Sequence, residues 1–219
     1  MKYLSFSLWG SEPIYNIGTI KNAELSKFIY PEWKMVVYYD NTVPLETIDI
    51  LNKMNVLTID MTDKNLYGMF WRFFAVELEN FEYAIFRDSD SRISLRERLA
   101  VDEWISSKKI LHVMRDHPAH RIPFGANGLG ILGGMWGIKK SKLKLIELIE
   151  EFAMNKNLKY GSDQTFLQSI YSKFINDRCT HDEFFENKPF PIKREPGRFV
   201  GERVDENENP VGQDYKLVL

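Results

Sequence analysis

The sequence predicts an α/β fold: a mostly parallel central sheet with helices on both faces, in a single domain over residues 1–219. Three observations lead there. Short runs of β-branched and aromatic residues alternate with longer stretches of helical spacing, the pattern of strand–helix–strand units that pair in parallel. The chain has 219 residues, about one domain at roughly 150 residues per domain, and enough to bury a sizeable core without disulfide or metal staples. Hydrophobic residues make up 44% and charged ones 27%, an ordinary globular balance that excludes disordered and collagen-like chains.

The elements follow in order. Tyr3 to Leu8 reads as a first strand, closed by Trp9-Gly10 and a polar turn through Pro13. Met35 to Tyr39 is a second, ended by Asp40-Asn41, and Val56 to Ile59 a short third. Tyr83 to Phe86 is a fourth and Ile110 to Met114 a fifth. Between them, Leu45, Ile48, Ile50 and Leu51 precede strand three, and Phe70, Phe73, Phe74 and Leu78 precede strand four at helical spacing. Asp116 to Gly130 holds two prolines, three glycines and two histidines with no periodicity, and reads as a long loop of the kind that usually has a task. Gly125, Gly128 and Gly130 give it the backbone freedom of a lid over a ligand; a static surface loop has the same composition. Leu132 to Ile138 is a glycine-interrupted strand. A clear helix follows, with Ser141 as its expected N-cap and Leu145, Leu148, Ile149, Phe152 and Ala153 on one face. Gly161-Ser162 opens a further helix carrying Phe166, Leu167, Ile170 and Tyr171. From Cys179 the chain is polar and proline-containing, and reads as an irregular tail wrapping the domain.

Composition narrows the function classes. Twenty-nine basic against 31 acidic residues leave a formal charge of −2, without the broad positive field that nucleic-acid or anionic-membrane binding needs. No stretch approaches the eighteen apolar residues of a membrane span, and the first residues make no signal h-region. A lone Cys179 cannot form an internal disulfide, so nothing points to an oxidising compartment. The expectation is a cytoplasmic protein with no nucleic-acid partner. Aromatic residues reach 14%, a figure that serves stacking on bases and sugars as well as core packing.

Strand four runs into Arg87-Asp88-Ser89-Asp90-Ser91-Arg92. Two carboxylates at i and i+2, just past the end of a buried strand, project toward one point, and hard oxygen ligands suit Mg²⁺ or Mn²⁺ on a diphosphate. The bare pattern has little specificity: 13 aspartates give about one Asp-x-Asp by chance in a chain of this length. Its bland reading is a solvated turn, with Arg87 and Arg92 as salt-bridge partners. Position favours a site, because ligands of open α/β sheets bind outside the carboxyl ends of strands.

These residues resemble the nucleotide-sugar glycosyltransferases of the GT-A fold, in particular the small bacterial and viral surface-glycan or capsule transferases. The apolar strand into Asp88-Ser89-Asp90 resembles that family's D-x-D motif. Leu132-Gly133-Gly134-Met135-Trp136-Gly137 is similar to the glycine-rich strand lying against the donor sugar, and Gly161-Ser162-Asp163-Gln164 to the acidic segment that opens the next helix and faces that sugar. Thr180-His181-Asp182-Glu183-Phe184-Phe185 resembles the late segment of such enzymes. The set stands in the family's order across residues 1 to 185. The resemblance implies a nucleotide-binding part over 1–115, a donor-sugar and acceptor part over 116–185 and a tail over 186–219.

Carried over residue by residue, the resemblance implies that Asp88 and Asp90 hold Mn²⁺ or Mg²⁺ on the donor diphosphate, with His181 as a third ligand; a surface histidine among acids is the alternative for His181. Leu8 at the end of strand one, Trp9 and Gly10 after it, and Asp40 after strand two border the base or ribose; a packed aromatic and a helix-capping acid are the alternatives for Trp9 and Asp40. Arg72 points to the diphosphate, with Ser89 and Gln164 beside the donor. Gly133, Gly134 and Gly137 lack side chains, so that a sugar can approach the backbone, or else they mark a bulge packed against a helix. Trp136 offers a stacking face for either sugar. Asp163 is a general base on the acceptor hydroxyl, an orienter of donor hydroxyls, or simply an acid compensating a helix dipole at roughly 0.3–1 kcal/mol. Asp116 and His117 in the long loop are rival bases. The implied activity is transfer of a hexose or deoxyhexose from a nucleoside diphosphate, UDP first, to a glycan acceptor.

Three other functions compete. Aspartate-nucleophile phosphatases place their D-x-D on the first strand and need a later lysine and acidic pair, which Asp163-Gln164 is not. Sugar nucleotidyltransferases open with a glycine-rich basic loop after strand one, whereas Ser7 to Glu12 contains neither Lys nor Arg. A non-catalytic sugar- or nucleotide-binding module keeps the aromatic surface without the chemistry.

Overall fold

The computed structural model describes residues 1–120, 130–154 and 156–219. Among these, β1 (Lys2–Leu8), β2 (Lys34–Tyr39), β3 (Leu57–Asp60), β4 (Tyr83–Arg87), β5 (Leu111–Arg115), β6 (Met135–Lys139) and β7 (Arg178–Asp182) form one sheet in the order β3-β2-β1-β4-β6-β5-β7. Four of the neighbour pairs are parallel; β6 runs antiparallel between β4 and β5. The chain builds outward from β1 through β2 to β3 and then returns to place β4 on the other side of β1. Such a reversal of direction opens a crevice at the carboxyl ends of the two central strands, here β1 and β4.

Alternation along β1 and β4 divides the core into two layers. Leu4, Phe6, Leu8, Val37 and Ile85 face one side, where α1 (Pro13–Ile29), α2 (Leu45–Lys53) and α3 (Leu95–Ser107) bring Ala23, Ile48, Leu51, Val101 and Trp104. Tyr3, Val36, Tyr38, Ala84 and Phe86 face the other, covered by Phe70 and Phe73 and by α4 (Leu145–Met154) and α5 (Ser162–Lys173). The helical segment expected before β4 is a 3-10 helix, Gly68–Glu77. Ser5 and Ser7, the polar residues of β1 on that face, tie it to the sheet at Arg72. The Arg72 amide donates to Ser7 Oγ at 2.9 Å, and the Arg72 carbonyl accepts from Ser5 Oγ at 2.6 Å.

Four expectations change. The turn read at Pro13 is the first residue of α1, and α3 also stands where no helix was read. Ser141 does not cap α4: its hydroxyl accepts from Leu143 N in the preceding turn. The tail read from Cys179 contributes β7, paired in parallel with β5, before becoming irregular. Of the long loop, Asp116 to His120 and Gly130 are described; Gly125 and Gly128, and the lid reading that rests on them, lie outside the described residues. Among the described residues no helix is long and apolar enough to cross a membrane.

Candidate functional site

A cleft of about 350 Å³ opens at the carboxyl ends of β1 and β4. Ser7 and Leu8 end β1 and Trp9 follows it, Tyr67 precedes the 3-10 segment that brings Met69 and Arg72, and Asp88, Ser89 and Asp90 come from the turn after β4. Gly133, Tyr160, Asp163, Gln164 and Arg203 complete the lining, and Tyr15 of α1 stands at its edge.

The turn that carries the two carboxylates is held from below. Gly18 of α1 lies so close to the Ser89 carbonyl that any Cβ there would collide with it. Asn22 donates to the Ser91 carbonyl at 2.7 Å and accepts from Ile93 N at 3.0 Å, and Ser89 Oγ donates to the Ser7 carbonyl at 3.2 Å. Arg87 turns away to Glu97 at 3.0 Å, and Arg92 to Glu208 at 3.0 Å. Both flanking arginines are therefore structural partners, as the salt-bridge alternative had it.

At the floor, Arg72 is the central cation. It pairs with the Asp88 carboxylate through Nη1 and with Asp163 through Nη2 at 3.1 Å, and Nη1 also donates to the Arg87 carbonyl at 3.1 Å. The guanidinium is buried and committed to two carboxylates, with only Nε left without a partner among the described residues. The expected glycines make this network possible. A Cβ on Gly133 would meet the Asp163 carboxylate and stand 2.7 Å from Arg72 Nη2, and one on Gly134 would collide with Asp88. Gly137 is closed off by Ala84 and Trp104, each 2.9 Å from its Cβ position. The Cβ positions of these glycines are closed off by the protein's own atoms, while Gly133 still lines the cleft.

The three acids differ. Asp88 presents a carboxylate 50% exposed to the cleft. Asp90 is mostly buried and paired with Arg203 at 2.7 Å; burial, reinforced by the neighbouring Asp88, pushes its carboxyl upward. Asp163, in the first turn of α5, is 0% exposed. Burial pushes its carboxyl up, Arg72 pulls it down and Asp88 raises it further, with an upward net. Its Oδ1 has no hydrogen-bond partner among the described residues. Buried carboxylate oxygens are ordinarily satisfied, so Oδ1 is an exception at the floor of the cleft.

Trp9, 40% exposed, stands edge-on to Trp71 at 6.1 Å and tilted to Tyr67 at 6.3 Å, forming an aromatic wall. Gly10 takes a positive φ of 73° and donates its amide to Thr42 Oγ1 at 2.6 Å. Asp40 in turn accepts from Thr42 N at 3.0 Å. Gly10 and Asp40 thus bind the loops after β1 and β2 together at the rim, outside the cleft lining.

Other expected residues stand elsewhere. Trp136 is a core residue on β6, 4.4 Å from Phe86 and 5.2 Å from Phe73 between ring centroids, and offers no stacking face. His181 lies on β7, three strands from β4, with its ring nitrogens taken by His112 at 3.0 Å and Glu103 at 2.9 Å, so it is not a third ligand. Asp116 is buried against Arg96, which it holds twice at 2.8 Å, and Arg194. His117 stacks on Phe199 at 4.4 Å, accepts from Ala119 N at Nδ1 and donates from Nε2 to the Asp214 carbonyl. Neither rival base reaches the cleft. Conversely, Tyr15, Tyr67, Met69, Tyr160 and Arg203 line it without having been singled out. Tyr15 sits on an unread helix, and nothing periodic surrounds Arg203.

Among the described residues no cluster of three or more His, Cys, Asp or Glu side chains is arranged to hold a metal. Mg²⁺ and Mn²⁺ sites commonly need only one or two carboxylates, completed by water and substrate phosphates. The exposed Asp88 oxygens beside Asp90, in a cradle that only glycine at 134 permits, fit that donor set.

No protein-family model matches the sequence, and no curated protein matches it. Solved structures do. The galactosyltransferase LgtC, in complex with donor and acceptor sugar analogues, superposes with a TM-score of 0.53 at 14% identity, over 84% of this chain and 74% of that one. The chain has the GT-A fold. Glucosyl-3-phosphoglycerate synthase of Mycobacterium tuberculosis, in complex with Mn²⁺, uridine-diphosphate-glucose and phosphoglyceric acid, gives 0.53 at 12% identity over 82% and 68%. A cytidylyltransferase of Leptospira borgpetersenii gives 0.50 at 15% identity over 86% and 78%. Identities this low carry the architecture, and the chemistry has to be argued from the cleft.

Proposed function

We propose that the cleft binds a nucleoside-diphosphate sugar, UDP-linked in the first instance, and that the chain transfers the sugar to a glycan acceptor. The observation that carries this reading is the pairing of an exposed carboxylate, Asp88, with an orphaned buried one, Asp163, on the two sides of a single arginine at the GT-A switch point. One group is open to a metal-bound diphosphate and the other lacks only a hydroxyl donor. The galactosyltransferase and the glucosyltransferring synthase of the same fold lend support.

In this reading Trp9 and Tyr67 flank the base, and Asp88 and Asp90 hold Mn²⁺ or Mg²⁺. Such an ion offsets the negative charge that develops on the departing diphosphate. Arg72 fixes the Asp88 carboxylate from below and adds positive potential under the leaving group. Asp163 Oδ1 accepts from a donor-sugar hydroxyl. We favour orientation over general-base action for Asp163, because its other oxygen is bound to Arg72. Gln164 and Tyr160, at the mouth, face the acceptor side.

The cytidylyltransferase of the same fold marks the second reading, nucleotidyl transfer. The loop Trp9-Gly10-Ser11-Glu12 carries no cation for a nucleoside triphosphate, which favours the sugar-nucleotide reading. A thermal-shift screen with UDP, GDP, CMP and dTDP sugars, with and without Mn²⁺, tests it, since a ligand of the folded state raises Tm. The expected result is a Mn²⁺-dependent rise with one nucleotide, lost in Asp88→Ala and Asp90→Ala. Sugar binding that survives both substitutions points instead to a non-catalytic module, and no shift with any nucleotide refutes the proposal.

A further inference from the structure

The second carboxylate of the Asp88–Asp90 pair is already occupied by a cation from the C-terminal segment. Arg203 Nε donates to Asp90 Oδ2 at 2.7 Å. The backbone around it is pinned to the same turn: Val204 N donates to the Asp90 carbonyl at 2.8 Å, and Ser91 and Arg203 form an antiparallel bridge. Val204 and Pro210 form a second bridge that folds the segment back on itself, and Arg92 holds it through Glu208 and the Asp205 carbonyl. The two arginines of the cleft are not equivalent. Arg72 is buried between two carboxylates. Arg203 has one carboxylate partner, and its side chain is 55% exposed. An exposed single ion pair contributes little and exchanges readily, whereas a charged Asp90, nearly buried beside Asp88, is costly without a cation near it.

We propose that Arg203 and the divalent cation are alternative partners of Asp90, so that Arg203 sets the metal affinity of the cleft. The inference rests on the donor-site reading for the identity of the ion. Before loading, Arg203 neutralises Asp90 and holds the pair of acids together. A divalent ion brings twice the charge to the same oxygens and releases the guanidinium into the cleft while the backbone bridges keep the segment docked. Metal affinity is then lower than two unpaired acids would give.

The test is a Mn²⁺ titration of the full chain without nucleotide, read as loss of the electron-paramagnetic-resonance signal of the free ion. Arg203→Gln is expected to bind Mn²⁺ about tenfold more tightly than wild type, the effect of removing one unit charge a few ångströms away at a half-exposed site. Arg203→Lys, which keeps the charge but loses the fork that Nε anchors, falls between the two and remains informative if the glutamine variant is unstable. Asp90→Asn binds weakly whatever stands at 203. Wild-type affinity or weaker in both Arg203 variants overturns the inference and leaves the donor reading intact. Absence of Mn²⁺ binding in every variant overturns the inference together with metal dependence. The nucleotide screen without Mn²⁺ then decides whether the donor reading survives.

Discussion

Gly133 shows how far a single hydrogen atom decides this cleft. The Arg72–Asp163 pair occupies the volume that a methyl group would fill, and both partners are too enclosed to step aside. Gly133→Ala is expected to lose about 1–3 kcal/mol of stability through overpacking and at least a hundredfold in donor turnover, because a displacement of about 1 Å in a positioned group costs that much. Urea unfolding and steady-state kinetics check it, and an alanine variant with native turnover contradicts the role given to the pair. Asp163→Asn separates orientation from base catalysis. Orientation predicts a lower kcat with an unchanged acid limb of the pH–rate profile, whereas a general base takes that limb with it. Asp88, Asp90 and Asp163 were legible in the sequence because each follows or opens a recognisable element. Arg203 was not, since a long-range ion pair leaves no local pattern, and His181, a plausible ligand by order along the chain, was placed by the fold on a distant strand.

Elements were legible where they bury apolar faces. β1, β2 and β4 are dense in aromatic and β-branched residues and were read to within a residue or two, as was α5. Helix α1 escaped because what it buries is polar or small, Asn16, Gly18, Thr19, Asn22 and Ala23, and α3 because Arg96 and Glu97 are buried beside Ala100, Val101 and Trp104 and break its apolar face. Those residues do site work. Gly18 and Asn22 support the acidic turn, and Glu97 binds Arg87 and accepts from Tyr30 at 3.0 Å. Hydrophobic periodicity cannot see a face whose partners are hydrogen bonds. At this scale the cap of α3 is testable. Ser94 Oγ accepts from Glu97 N at 3.3 Å, so Ser94→Ala is expected to cost about 1 kcal/mol and to lower Tm by roughly 2–4 °C for a chain of this size. No change in Tm contradicts the cap.

The whole molecule carries its pH response far from the cleft. His112 on β5 is buried, stacked on Trp104 at 5.1 Å and bonded to His181. Burial, and then the neighbouring His181, push the His112 ring well below the ordinary imidazole value; burial also lowers His181, and takes His120 to about 3. These folded values lie below the unfolded one, so the unfolded chain binds protons first as pH falls through about 6.5, and stability drops with it. Each ring contributes up to about 1.4 kcal/mol per pH unit in that window. The raised carboxyls of Glu97, Asp90 and Asp163 act in the opposite sense, since the folded state takes up their protons more readily. Stability measured by urea unfolding between pH 7.5 and 5 is expected to fall, with a shallower slope in His112→Gln; equal slopes contradict the assignment.

At the same scale, the reversal of strand order that sets β1 beside β4 gathers the aromatic wall, the acidic pair and the buried acid into one crevice. Its most direct test is a crystal structure of the full chain grown with MnCl₂ and UDP, with anomalous data at the manganese edge. A manganese peak is expected within ligand distance of Asp88 and Asp90, with the diphosphate on that ion and the base against Trp9. A nucleotide bound elsewhere, or a manganese peak away from both aspartates, contradicts it.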